Sequence, residues 1–353
     1  MSTPLRRDRP LWEIWICQDT EQQRLVMVGK AHHCMVDGIA AVELGSMLLD
    51  VTPHPDADRF EQWSAARQPG PEQLLLRGVR DLIGRQIDLL RWPLKAVRTS
   101  PVSTVRQGAA HALRVGRALS NSFSAAPSSV LNGQLSPLRR LAWVERPLED
   151  LRVIKRLHGT TINDVMLAAV AGGMRSYLLR RGQEPVSLKA MVPVNVRSDQ
   201  DVLGNHISFV FARLPCQEPN AIGRLHQVHA VMRDRKRHGE PEGADLALKA
   251  TEYTPGVVQN AISRIVASPR TFNLVVSNIP GPAQPMYMLG CRLEATYPVV
   301  PLADRHAVSV GMTTVRDRAC FGIYTDRESM PDADALAVDI DQAISELLAV
   351  SPG

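Results

Sequence analysis

Two adjacent histidines, followed closely by a carboxylate and a glycine, are the residues of this sequence best suited to chemistry. They are His32, His33, Asp37 and Gly38. Histidine is the side chain whose ordinary pKa lies nearest neutrality, so a neutral imidazole can accept a proton from a hydroxyl or thiol at physiological pH. A nearby carboxylate can hold one tautomer of an imidazole, and glycine permits a tight turn. The combination predicts acid–base catalysis.

Three other interpretations of these residues stay open at this point. Asp37 is of a type favoured at the cap of a following helix, a role that is compatible with catalysis. The histidines and Asp37 could bind a metal ion, but adjacent residues of a strand point to opposite faces, and no second cluster supplies ligands at familiar spacing. The two histidines could also be purely structural.

The elements around the motif place it where a strand meets a helix. Residues 11–18 and 24–33 predict two neighbouring strands joined by a polar turn. Apolar residues at helical spacing follow Gly38, so 32–38 spans the junction. A basic amphipathic helix is predicted over 71–98, and it either packs against its own domain, the interpretation favoured by base rate, or lies in a membrane interface.

The remainder of the chain predicts a linker followed by alternating strands and helices. Residues 99–140 are rich in Ser, Ala, Pro and Gly and lack periodicity, which indicates a linker or mobile loop. The mixture of elements after it favours an α/β sandwich with a mixed sheet. The predicted strands are 141–145, 187–194, 207–214, 272–277, 307–315 and 319–325, and the predicted helices are 148–157, 163–181, 221–237, 244–267 and 334–349.

Composition excludes several classes of protein. Of the 353 residues, 44% are hydrophobic and 22% charged, which is typical of a globular protein and excludes wholesale disorder. Only 5% are aromatic, so nucleic acid is not an expected partner. The net charge of +5 supports at most a mild preference for anionic ligands or membrane surfaces. The five cysteines lack C-x-x-C spacing, which indicates neither a disulfide framework nor a zinc ribbon.

Location is predicted from the same features. No apolar run reaches the roughly 18 residues of a membrane-spanning helix, and the first ten residues carry charge without the apolar stretch of a signal peptide. Together with the cysteine pattern, this predicts a reducing cytoplasm, with any membrane contact peripheral.

The string His-His-x-x-x-Asp-Gly at 32–38 resembles the active-site signature of the CoA-dependent acyltransferase superfamily, which includes chloramphenicol acetyltransferases and peptide-synthetase condensation domains. Further strings, which together cover essentially the whole chain, narrow the resemblance to the bacterial wax ester synthase/diacylglycerol acyltransferase family. In order they are Pro10-Leu-Trp-Glu13, Thr161-Ile-Asn-Asp-Val165, Val192-Pro-Val-Asn-Val-Arg197, Leu203-Gly-Asn205 and Ser277-Asn-Ile-Pro-Gly-Pro282. The resemblance implies a two-domain α/β fold like that of chloramphenicol acetyltransferase, a mixed-sheet sandwich.

The resemblance also implies roles for the residues of the motif. His33 would be the general base that deprotonates an acceptor hydroxyl, whose oxygen then attacks the thioester carbonyl of a long-chain acyl-CoA. Asp37 would orient the motif through a salt bridge to an arginine, for which Arg197 is the candidate. His32 and Gly38 would shape the turn.

Asn163 would help to stabilise the tetrahedral intermediate by donating to its oxyanion. A plain polar residue in the first turn of a helix is the alternative interpretation of Asn163. The string 277–282 combines a strand exit with three turn formers, which favours a structural bend. Asn278 within it is a further candidate for the site.

The activity implied by the resemblance is transfer of an acyl group from acyl-CoA to the hydroxyl of diacylglycerol, and also to a fatty alcohol. Acyl-CoA would be a co-substrate, and neither a permanently bound cofactor nor a metal is expected. Peripheral contact with the inner membrane or with lipid droplets would fit such substrates.

The family pattern normally has a further segment before Pro-Leu-Trp, so the first half of the fold is expected to be incomplete. The predicted domains are an N-terminal half at 1–98 that carries the motif, the linker at 99–140 and a C-terminal half at 141–353. The alternative function is therefore that of a truncated, catalytically weak remnant that binds lipid or a partner protein.

Overall fold

The computed structural model describes residues 2–19, 21, 24–32, 34–35, 45, 47–54, 64, 69–80, 124–195, 207–241, 244, 256–282 and 284–350. Three of the residues singled out above lie within these ranges, namely His32, Asn163 and Asn278. The other four lie outside them, namely His33, Asp37, Gly38 and Arg197.

The first described element is an antiparallel hairpin of strands β1 (Trp12–Asp19) and β2 (Arg24–Ala31). Its register pairs Trp12 with Ala31 and Asp19 with Arg24. Both predicted strands are confirmed. β2 ends two residues before its predicted end because the chain turns at His32, whose carbonyl oxygen accepts a hydrogen bond from the amide of Met35 at 2.9 Å.

Residues 71–80 are helical, as predicted for the start of the basic amphipathic helix. The leucines of this stretch, Leu74, Leu75 and Leu76, are exposed. The rest of the predicted helix, 81–98, lies outside the described ranges. None of the described helices is both long enough and apolar enough to cross a membrane.

A six-stranded mixed sheet organises the second half of the chain. Its strands are β3 (Arg139–Pro147), β4 (Leu188–Asn195), β5 (Ile207–Leu214), β6 (Leu274–Ile279), β9 (Val308–Val315) and β10 (Arg318–Asp326), and the short strands β7 (Tyr287–Met288) and β8 (Cys291–Arg292) pair separately. The spatial order is β3-β10-β9-β6-β4-β5. β4, β6 and β9 are mutually parallel, whereas β5 is antiparallel to β4, and β10 to both its neighbours. Strands β4, β6 and β9 therefore end at one edge, here named the carboxyl edge.

Helices cover one face of this sheet. They are α1 (Leu148–His158), α2 (Ile162–Arg180), α3 (Ala221–Arg237) and α5 (Ala333–Ala349), while α4 (Gly256–Val266) precedes β6. Residues 165–174 of α2 are apolar and all buried, as expected of a helix segment surrounded by protein. Gly173 lets α5 approach closely, because a Cβ there would lie 3.0 Å from the backbone nitrogen of Ile340.

The opposite face of the sheet holds a smaller cluster of Phe211, Phe272 and Val275. Lys189 of β4 shares this face and is buried, with its Nζ 2.6 Å from the carbonyl oxygen of Ser124 and 4.7 Å from the ring centroid of Phe211. Burial, and then the charges of Arg213 and Arg235, lower the pKa of Lys189 to about 8.

The described part of the segment predicted as linker is 124–140. Residues 124–138 pack against the sheet, and 139–140 already belong to β3. Leu131 is fully buried in the main core, and its carbonyl oxygen accepts from the amide of Ala307 at 2.8 Å. The side-chain nitrogen of Asn273 donates to Asn132 Oδ1 at 2.8 Å. Since these contacts are made across long sequence separations, the lack of local periodicity did not reveal them. The mixed α/β architecture is confirmed, and the domain boundaries stay a prediction.

Candidate active site

His32 lies at the turn that follows β2. Its amide donates to the carbonyl oxygen of Leu11 at 2.9 Å, and its Nδ1 faces the amide of Cys34 at 3.2 Å. Because Nδ1 accepts this bond, a neutral ring carries its proton on Nε2. His32 therefore lies at a turn, and the turn-shaping role predicted for it stays a prediction. Its neighbours in the motif, His33, Asp37 and Gly38, lie outside the described ranges, so their roles stay predictions.

Asn163 is the second residue of α2, and the start of this helix is held by a reciprocal capping box. Thr161 Oγ1 accepts from the amide of Asp164 at 3.2 Å, and Asp164 Oδ2 accepts from the amide of Thr161 at 2.9 Å. Such a box satisfies two of the amides that a helix leaves unpaired at its start. The backbone on both sides of Asn163 is therefore fixed, and its side chain is half-buried.

Asp164 has a second partner that sequence reasoning missed. Its side chain is only 3% exposed, and Oδ2 lies 2.9 Å from Nδ1 of His229 on α3. The spacing of Thr161 and Asp164 is a local signal from which the capping box could have been predicted. No local signal predicts the contact between Asp164 and His229, because the two residues are 65 positions apart in the sequence.

The start of α2 lies at the carboxyl edge of the sheet. Helices α2 and α3 run antiparallel, because Arg175, late in α2, donates to the carbonyl oxygen of Cys216 before α3, while Asp164, early in α2, meets His229 at the middle of α3. Beyond α3, the carbonyl oxygen of Pro241 accepts from Ser208 Oγ at 2.6 Å, and β5 begins at the carboxyl edge. Asn163 therefore lies near the same edge of the sheet as Asn195, the last residue of β4.

The string 277–282 leaves the sheet at the same edge. β6 ends at Ile279, and Asn278, paired in register with Met312, is half-buried. Gly281 then passes directly over β9, where a Cβ would overlap the carbonyl oxygen of Thr314. This close approach of two backbones requires glycine and supports the structural interpretation of the bend.

Two further histidines lie beside this region. His226, one turn before His229 on α3, meets His158 at the end of α1, with ring centroids 5.8 Å apart. Burial, and then the charge of His226, lower the pKa of His158. The two histidines of α3 therefore have different partners, an imidazole for His226 and a carboxylate for His229.

Comparisons with known proteins agree with this architecture. The family model described as the wax ester synthase/diacylglycerol acyltransferase catalytic domain matches residues 1–166, and the WS/DGAT C-terminal domain matches 203–348. A putative diacylglycerol O-acyltransferase of Mycobacterium bovis is 31% identical over 99% of this chain and 74% of its own length. A probable diacylglycerol O-acyltransferase of Mycobacterium tuberculosis matches with the same identity and coverage.

The chain belongs to the wax ester synthase/diacylglycerol acyltransferase family.

Solved structures confirm the fold of this family member. The wax ester synthase/diacylglycerol acyltransferase from Marinobacter aquaeolei VT8 has a TM-score of 0.64 at 24% identity, over 98% of this chain and 72% of that one. The first condensation domain of the CDA synthetase has a TM-score of 0.52 at 14% identity, over 99% of this chain and 70% of that one. The predicted fold of the CoA-dependent acyltransferase superfamily is therefore confirmed.

The catalytic-domain match contains both groups of predicted site residues, since it covers His32 to Gly38 and also Asn163. The protein is accordingly an acyltransferase by family. The structure joins Asp164, the sequence neighbour of Asn163, to His229, and within the described part of the chain no hydrogen bond joins His32 to Asn163. The individual catalytic roles stay predictions.

Proposed function

We propose that this protein transfers a long-chain acyl group from acyl-CoA to the hydroxyl of diacylglycerol, which forms triacylglycerol, and that it also accepts a fatty alcohol, which forms a wax ester. The observation that carries the proposal is the 31% identity, over 99% of the chain, to a relative named as a diacylglycerol O-acyltransferase. The intact His-His-x-x-x-Asp-Gly motif supports it independently, because the motif supplies the base that the reaction needs.

His33 accepts the proton of the acceptor hydroxyl as the oxygen attacks the thioester carbonyl carbon. The tetrahedral intermediate carries an oxyanion, toward which Asn163 donates from its side-chain amide. Collapse of the intermediate breaks the carbon–sulfur bond, and the departing CoA thiolate takes the proton from the His33 imidazolium. Asp37, paired with Arg197, orients the motif. The cycle leaves His33 neutral and requires neither a metal nor a permanently bound cofactor.

The described geometry supports the role given to Asn163. An oxyanion donor is effective when it is held in advance, because the protein then need not reorganise during the reaction. The capping box fixes the backbone around Asn163, and the start of α2 lies at the carboxyl edge, where β4 and β6 end within the strings 192–197 and 277–282. These strings belong to the same family resemblance as the motif itself.

Peripheral contact with a membrane or lipid droplet is part of the proposal, since diacylglycerol and fatty alcohols partition into lipid. The helical stretch 71–80 carries exposed Leu74, Leu75 and Leu76 beside exposed Arg77 and Arg80. Exposed apolar side chains next to arginines suit an anionic lipid surface. This is the feature that supports the contact.

The test is an ester-synthesis assay with purified protein, radiolabelled palmitoyl-CoA and either dioleoylglycerol or hexadecanol. His33→Ala is expected to lower the rate by about 100-fold or more, which is the usual contribution of a general base. Asn163→Ala is expected to lower kcat by about 100-fold, as for loss of an oxyanion donor. His238→Ala, at the end of α3, is the matched control and is expected to keep the wild-type rate.

Either of two results would contradict the proposal. The first is the absence of ester product from wild-type protein with both acceptors, together with vesicle binding that survives His33→Ala, which would favour the lipid-binding alternative. The second is an unchanged rate in His33→Ala. The ratio of product formed from the two acceptors separates triacylglycerol synthesis from wax ester synthesis.

A further inference from the structure

The carboxylate of Asp164 is almost fully withdrawn from water and relies on two donors. Its side chain is 3% exposed, and Oδ2 accepts from the amide of Thr161 and from Nδ1 of His229, both at 2.9 Å. A buried carboxylate is stable only when donors replace the water that it has lost. The amide of Thr161 is supplied by the capping box, whereas the imidazole of His229 comes from a neighbouring helix.

Asn163 lies in the sequence between Thr161 and Asp164, the two residues of the capping box. The next residues of α2 are buried in the core. The first turn is thus held to its own cap on one side and to α3 on the other. If His229 lost its donor, the carboxylate would have to turn toward another donor or toward water, and the first turn would move with it.

We propose that His229 and Asp164 form a positioning pair that holds the first turn of α2, and with it Asn163, in the geometry used for acyl transfer. The inference rests on the proposed function for its catalytic consequence. A capping box alone would leave the turn attached only to its own helix, whereas the contact to His229 ties it to a second helix. Displacements of about 1 Å at a reacting centre can lower a rate about 100-fold, so the tie has catalytic value.

Three substitutions on α3 test the pair. His229→Leu keeps much of the side-chain volume and removes the donor, whereas His229→Asn places an amide nitrogen near the position of Nδ1 and keeps it. His226→Leu is the matched control, because His226 lies on the same helix, is exposed and faces His158 rather than Asp164. Leucine is a better helix former than asparagine, so helix propensity alone predicts that His229→Leu is the less disruptive variant. The positioning pair predicts the opposite, that His229→Asn is the less disruptive one.

In the ester assay, His229→Leu is expected to lower kcat about tenfold and to leave KM for acyl-CoA within about twofold, because the pair orients a catalytic group rather than binding the acyl donor. His229→Asn is expected to keep kcat within about threefold of wild type, and His226→Leu to match wild type. Wild-type kcat in His229→Leu, or an equal loss in both His229 variants, overturns the inference.

Hydrogen exchange separates this inference from the proposed function. Exchange is followed by mass spectrometry on a peptide that covers 159–166, which includes the amides of Thr161 and Asp164. Exchange about tenfold faster in His229→Leu than in wild type and His229→Asn is expected, whether or not the wild type forms ester. Equal protection in all three proteins overturns the positioning pair even if the enzyme is active.

Discussion

Replacement of Gly281 by alanine tests whether the bend after β6 depends on close backbone packing. The new Cβ would overlap the carbonyl oxygen of Thr314, and it would lie 2.7 Å from the carbonyl carbon and 3.0 Å from Thr313 Oγ1. Thr314 cannot yield easily, because it belongs to β9 and pairs with Ala319 of β10 inside the sheet. The bend itself must therefore move away from β9.

The size of the effect follows from two opposed contributions. Overpacking of this kind costs about 1–3 kcal/mol, and a contact with backbone belongs at the upper end of that range. Alanine also lowers the conformational entropy of the unfolded chain, which stabilises the folded state by about 0.4–1 kcal/mol. The expected net loss in the free energy of unfolding is about 2 kcal/mol, equivalent to a fall in Tm of roughly 4–8 °C for a domain of this size.

The measurement is urea unfolding followed by circular dichroism, with Gly133→Ala as the matched control. Gly133 lies in a loop, and a Cβ there would have no atom within 4 Å. The control is expected to equal wild type or to exceed it by up to about 1 kcal/mol. If Gly281→Ala is as stable as Gly133→Ala, the close approach of the bend to β9 is wrong.

Two further predictions concern charge. Burial lowers the pKa of Lys189 from 10.5 to about 8, so between these values the unfolded chain binds more protons than the folded chain. The free energy of unfolding of wild type, relative to that of Lys189→Met, should therefore rise from pH 8 to pH 10.5. Urea unfolding at intervals across that range measures this difference, and a constant or falling difference would contradict the burial of the amine. The exposed stretch 71–80 predicts that the protein floats with anionic vesicles, and that flotation weakens at high salt and in the double variant Leu75→Asp, Leu76→Asp. The control Val338→Asp, on α5, should float like wild type. Equal flotation of wild type, the double variant and the control would exclude this stretch as the contact.

The local elements were predictable because their signals lie within a few residues. Strand β5 and helix α3 have the predicted bounds, and α2 begins one residue earlier than predicted. The bounds of α2 were thus predicted to within one residue at each end, whereas its capping box was not predicted. The two-residue strands β7 and β8 were missed, since so short a pairing leaves no periodicity to detect.

The sequence by itself determined the motif chemistry, the order of the elements and, through its resemblance, the family, because residue types and their spacing carry all of these. Only the tertiary structure decided that Asp164 meets His229, that Lys189 is buried beside Phe211, and that Gly281 lies against Thr314. Each of these contacts joins residues more than twenty positions apart. Their proximity depends on how the whole chain packs around one core, a property that no local pattern contains.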